Sequence, residues 1–123
     1  MYKYLILSGL FLIGLLSFQS CQYEWIEYDE IVIPDTISFS GEIVPIFEAG
    51  CNATVCHGGG ADPDLRADNA YPSLISGGYV NTNDPPMSSI YTSMASGGSM
   101  AVYCTQQDAD LVLAWIEQGA IDN

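Results

Sequence analysis

The sequence predicts an all-α fold of three to four short helices joined by long glycine- and proline-marked loops. Three observations carry this. Apolar residues recur at helical spacing in several short runs. Those runs are closed by glycines, and no segment sustains the two-residue alternation of a sheet strand. The chain has 123 residues, enough for one domain plus a targeting segment.

The elements follow in order. Ser40 is placed to cap a first helix running to Ala49, with Ile43, Ile46 and Phe47 on one face and Gly50 ending it. A second, short helix is expected over 72–75, stopped by Gly77 and Gly78. Asn81 to Pro86 reads as a turn, and a third helix over 88–96 carries Ile90, Tyr91 and Met94 on one face. Thr105 with Asp108 forms a capping-box start for the last helix, where Ala109, Val112, Leu113 and Ile116 repeat and Gly119 closes the run. A domain of about 85 residues built this way buries a modest core, and domains so small often draw on a cofactor or covalent staple.

The first 20 residues differ from the rest. Lys3 supplies a positive start and residues 4–16 form an apolar run without a charge. Such a layout reads as a secretory signal peptide, the alternative being an uncleaved membrane anchor. Ser20 before Cys21 resembles the lipobox of bacterial lipoproteins, although Phe18 and Gln19 depart from its usual residues. The resemblance implies lipidation of Cys21 and an exported protein anchored to a membrane, facing the periplasm or the cell surface. Residues 21–39, with Glu24, Glu27, Asp29 and Glu30, read as an acidic tether to a domain over 40–123.

The chain carries a formal net charge of −13, and loss of residues 1–20 would leave Arg66 as its one cation. That balance argues against nucleic acid and against anionic lipid surfaces. It suits solubility and partner proteins with a basic docking surface.

The chemistry concentrates in Cys51-Asn52-Ala53-Thr54-Val55-Cys56-His57-Gly58. Covalent haem attachment uses two thiols that add to the haem vinyl groups, with a histidine beside the second thiol as iron ligand. Adjacency matters because a thioether at Cys56 holds His57 against the ring. The ordinary motif has two residues between the cysteines and this one has four, so the spacer must bulge outward. A Cys51–Cys56 disulfide on a haem-free binding module is the alternative reading. Zinc fits poorly, because one histidine beside one cysteine does not close a tetrahedral set. Nucleophilic cysteine chemistry wants a histidine from elsewhere, and His57 is the only one.

Residues 40–123 resemble the small class I-like cytochrome c domains of bacterial, Bacteroidetes-type lipoproteins. The matching pieces are Ile43 to Gly50, Cys56-His57-Gly58, Ser89-Ile90-Tyr91, Gly97-Gly98-Ser99-Met100 and Trp115-Ile116-Glu117-Gln118-Gly119-Ala120. They cover about two thirds of the chain. It departs from the pattern in the four-residue spacer and in Ala101, where the family has proline. The resemblance implies a cytochrome c-like fold around one covalent haem c on Cys51 and Cys56. It also implies one-electron transfer without catalysis of its own.

A second histidine is absent, so the other axial ligand would be a methionine. Met87, Met94 and Met100 compete. Met94 falls on the apolar face of the third helix, where core filling is its expected role. Met100 follows two glycines and occupies the place that the family pattern marks, which makes it the first choice and Met94 the second. The resemblance packs Trp115 on the first helix. Arg66 could meet a haem propionate, although a solvated loop position is the simpler expectation. Cys104 is left without a partner once haem takes two thiols.

Overall fold

The two ends of the segment 33–123 are drawn together by hydrogen bonds. In a computed structural model, which describes residues 1–3 and 33–123, the backbone N–H of Ile37 donates to Gln118 Oε1 at 2.8 Å, and Gln118 Nε2 donates to Pro34 O at 3.0 Å. Phe39 N–H reaches Asn123 Oδ1 at 2.8 Å and Ser40 N–H reaches Asn123 O at 3.0 Å. The expected signal segment over 1–20 and the lipidation site Cys21 lie almost wholly outside the described residues. No helix among those described is long and apolar enough to cross a membrane.

The described part of the unit spanning Ile31–Asn123 is helical, with no strand. A π-helical turn, Phe39–Ile43, runs into α1, Val44–Gly50. Its cap is Ser38 rather than Ser40: the Ser38 hydroxyl accepts from Gly41 N–H at 3.1 Å, and Ser38 N–H donates to Glu42 at 2.8 Å. The packed unit therefore begins before Ser40. Ile37 and Phe39, which fall in the expected tether, are each only 2% exposed.

Helix α2, Ala67–Ser76, is longer than its sequence pattern suggests. Pro72 sits inside it, without the N–H that would bond the carbonyl one turn back. Proline also disfavours helical geometry at the residue before it. Burial overrides both. Ala70 and Leu74 are fully buried, and Tyr71 is held by its hydroxyl, which donates to Ala120 O at 3.1 Å.

A 3-10 turn, Pro85–Met87, precedes α3, Ser89–Met94. The expected turn before it is organised by Asn81, whose Oδ1 accepts from the backbone of Asn83 and Asp84 at 3.1 and 3.2 Å. Ser88, buried, closes the same turn by accepting from Asn81 N–H at 2.9 Å. Helix α4, Gln106–Glu117, starts with the expected capping box: Asp108 N–H donates to Thr105 Oγ1 at 3.1 Å, and Thr105 N–H donates to Asp108 Oδ2 at 2.8 Å. Gly119 ends the run with φ of +101°, a conformation that glycine reaches without steric cost.

The core lies where the π-turn, α1, α2, α3 and α4 meet. Phe39, Tyr71 and Trp115 form its aromatic centre, with Phe39 at 5.3 Å from Tyr71 and 5.0 Å from Trp115 between ring centroids. Trp115 thus packs on the first helical segment, and its indole N–H donates to Ile121 O at 2.9 Å. Ile43, Phe47, Leu74, Val112 and Ile116 complete the interior.

Candidate functional site

The residues singled out in the sequence meet at one cavity of about 530 Å³. Cys51, Cys56, His57, Met94 and Met100 all line it, together with Phe47, Leu65, Tyr79, Ile90 and Tyr103. Its size falls within the range of cofactor pockets, and its walls are mostly apolar.

Helix α1 delivers the first thiol. Phe47 is fully buried and fixes the helix, whose C-cap is Cys51. Gly50 is not a left-handed helix stop. A Cβ there would lie 2.7 Å from the carbonyl oxygen of Tyr103, so glycine is required because the two backbones touch. Cys51 is buried and its thiol pKa is raised, chiefly by that burial and next by Cys104.

The spacer bulges outward, with Ala53, Thr54 and Val55 all exposed. Cys56 N–H and Gly58 N–H both donate to Ala53 O, at 2.8 and 3.0 Å, while His57 N–H reaches back to Cys51 O at 3.2 Å. Gly58 is buried in this loop, where a Cβ would strike the Ala53 carbonyl at 2.8 Å. Backbone hydrogen bonds therefore return the chain beside Cys51 despite the extra residues. Cys56 is exposed, and Cys51, Cys56 and Cys104 are all free thiols.

His57 is half-buried, and its Nδ1 lies 2.9 Å from the carbonyl oxygen of Pro63. A carbonyl only accepts, so this contact places the proton on Nδ1 and leaves Nε2 as the basic nitrogen. Histidines that bind metals are oriented by such a bond at their second nitrogen. Leu65 N–H donates to His57 O at 2.7 Å and pins the same loop from its other side. Pro63 was not marked in the sequence, because what it contributes is a main-chain oxygen. Its only sequence signal is its position six residues after the lone histidine.

Of the three methionines, Met87 is 68% exposed and absent from the cavity lining. Met94 is buried in the core at the cavity wall, and Met100 is half-buried in the loop after α3. That loop folds back onto the helix: Met100 N–H donates to Ser93 O at 2.8 Å. Gly97 takes a φ of +86°, and a Cβ on Gly98 would collide with the Thr92 and Ser93 carbonyls. The two glycines thus serve this return onto α3.

Arg66 does not line the cavity. Its guanidinium makes a two-pronged contact with Asp64, Nε to Oδ1 at 3.0 Å and Nη2 to Oδ2 at 2.5 Å. Asn69 Nδ2 adds a bond to Asp64 Oδ2 at 2.9 Å. The Arg66 contact holds the Asp64 carboxyl well below the ordinary carboxylate range. The cation of this unit is therefore already partnered. Cys104 is half-buried, and its thiol donates to Met94 O and Met100 O at 3.4 and 3.5 Å.

Among the described residues, no three His, Cys, Asp or Glu side chains gather as a metal-binding group. A haem site asks for something else: an apolar slot, thiols at its wall and a histidine with its outer nitrogen tied. The residues present fit that demand. No protein-family model matches the chain, nor does any curated protein or solved structure.

Proposed function

We propose that this chain is a membrane-anchored c-type cytochrome that carries single electrons on one covalently attached haem c. The observation that carries the reading is His57: its Nδ1 is engaged by Pro63 O at 2.9 Å within the wall of a 530 Å³ apolar cavity that two thiols and two thioethers also line. The fold is then a small cytochrome c-like one, and the cavity residues of α1, the 56–65 loop and α3 would hold the haem.

Each residue has a role in this reading. Cys51 and Cys56 provide the two thioether links, and His57 presents Nε2 to the iron. Met100 would supply the second protein ligand to the iron, from a loop that packs on α3 without belonging to the core; Met94 is the second choice, because it is also core filler. The bound haem supplies one-electron chemistry, and a methionine ligand raises its potential relative to a second histidine. His57 and Met100 would both serve as iron ligands in this reading, which therefore assigns no catalysis. The apolar walls exclude water from the ring and favour its uncharged faces.

Export, lipidation at Cys21 and a periplasmic or surface-facing location complete the proposal. The net charge of −13 supports redox partners with basic docking surfaces, whose encounter would slow as salt rises.

The test is absorption spectroscopy on full-length protein produced with export and cytochrome c maturation. The expected result is a pyridine haemochrome of one haem per chain and a denatured mass raised by one haem. The weak long-wavelength band of a methionine-ligated ferric haem should be present, disappear in Met100→Ala and persist in Met94→Ala. A colourless protein of unmodified mass would overturn the proposal.

A further inference from the structure

Cys104 is a nucleophilic side chain to which the haem reading gives no work. Its surroundings point to a partner. Gly50 and Tyr103 meet backbone to backbone, closely enough that a Cβ on Gly50 would sit 2.7 Å from Tyr103 O and 3.7 Å from its carbonyl carbon. The residues that follow these two are Cys51 and Cys104. Both are withdrawn from solvent, Cys51 buried and Cys104 half-buried against the same core cluster. Cys56 differs: it is exposed.

We propose that Cys104 is the redox partner of Cys51, and that before haem is attached these two thiols close an intramolecular disulfide that withholds Cys51 from thioether formation. Closure oxidises two thiols to one disulfide. The two electrons and two protons pass to an incoming disulfide, from a protein oxidant or from glutathione disulfide, which leaves as two thiols. A dithiol reductant reverses the exchange and returns Cys51 for addition to a vinyl group. The pairing rests on the export and haem reading above, and it withdraws two of the three thiols in a compartment where free thiols rarely persist. It also leaves Cys56, beside His57, open to haem throughout.

Chain entropy makes the test sharp. Cys51 and Cys56 are five residues apart, and Cys51 and Cys104 are 53 apart. In a disordered chain the shorter loop should close about 30-fold more readily, on a three-halves power of loop length. Only folded geometry reverses that preference.

The experiment uses the full chain carrying Cys21→Ser, exported without haem maturation, equilibrated with glutathione redox buffer, then quenched by acid and mapped as peptides. Expected is a dominant Cys51–Cys104 link in native buffer, replaced by Cys51–Cys56 in concentrated urea and lost in Cys104→Ala. A dominant Cys51–Cys56 or Cys56–Cys104 link in native buffer, or three alkylatable thiols at every redox poise, overturns the pairing. Those outcomes leave the haem reading standing, because it is judged separately by haem content after maturation.

Discussion

Replacing Gly50 with alanine sets two effects against each other. Gly50 is the last residue of α1 and does not adopt a left-handed φ, so on conformational grounds alanine is the better residue by up to about 1 kcal/mol. Space decides otherwise. The new methyl would stand 2.7 Å from Tyr103 O, about 0.7 Å inside ordinary contact at 3.4 Å, and the obstacle is main chain that cannot rotate away. Overpacking of this kind costs about 1–3 kcal/mol. The net loss should be about 1 kcal/mol, a fall in Tm of about 4–8 °C for a unit of this size. The displaced segment also holds Met100, whose carbonyl accepts from Tyr103 N–H at 2.9 Å. Thermal unfolding of Gly50→Ala beside wild type, followed by circular dichroism, measures the first effect. On the proposed haem reading, the methionine band of the ferric protein would read the second and should weaken. A Tm equal to or above that of wild type would show that the α1 to Tyr103 contact is not rigid and refute the steric reasoning.

Two further outcomes follow from side chains outside the cavity. Thr105→Ala removes the acceptor for Asp108 N–H at the start of α4 and should cost about 1–2 kcal/mol in urea unfolding, with Thr105→Ser retaining most of it; an unchanged midpoint would mean the cap contributes nothing. Asp64 has a lowered pKa in the folded state because Arg66 favours its ionised form, so its stabilising contribution is present above the ordinary carboxyl pKa and is lost as pH falls below about 4. Asp64→Asn should therefore flatten the acid side of the stability profile, and parallel profiles for variant and wild type would exclude the ion pair as a source of pH dependence.

How much of this was legible in advance depends on the range of the interactions involved. The capping box at Thr105 and Asp108 spans three residues and was readable, because both partners belong to one helical turn. The adjacency of Cys56 and His57 is covalent and needs no fold. By contrast, the start of the first helical segment was misplaced by two residues. Ser38 and Ser40 are chemically equal as caps; what separates them is that Ile37 and Phe39 sink into the core, and the far end of the chain accepts their N–H groups. Helix α2 was underestimated for the same reason, since burial of Ala70 and Leu74 outweighs the local cost of Pro72.

The sequence by itself determined the helical class, the last helix with its cap, the bulging four-residue spacer and the adjacency of Cys56 and His57 on which the haem proposal is built. Only the tertiary structure decided that Cys51, Cys56, His57, Met94 and Met100 share one apolar cavity while Met87 stands outside it. It also decided that Pro63 O ties His57 Nδ1, that Arg66 belongs to Asp64, and that Gly50 is demanded by Tyr103. The physical reason is common to all of them. A backbone oxygen or a close approach of two chain segments leaves no mark in residue identity, because every residue carries the same carbonyl and only folding determines which of them meet.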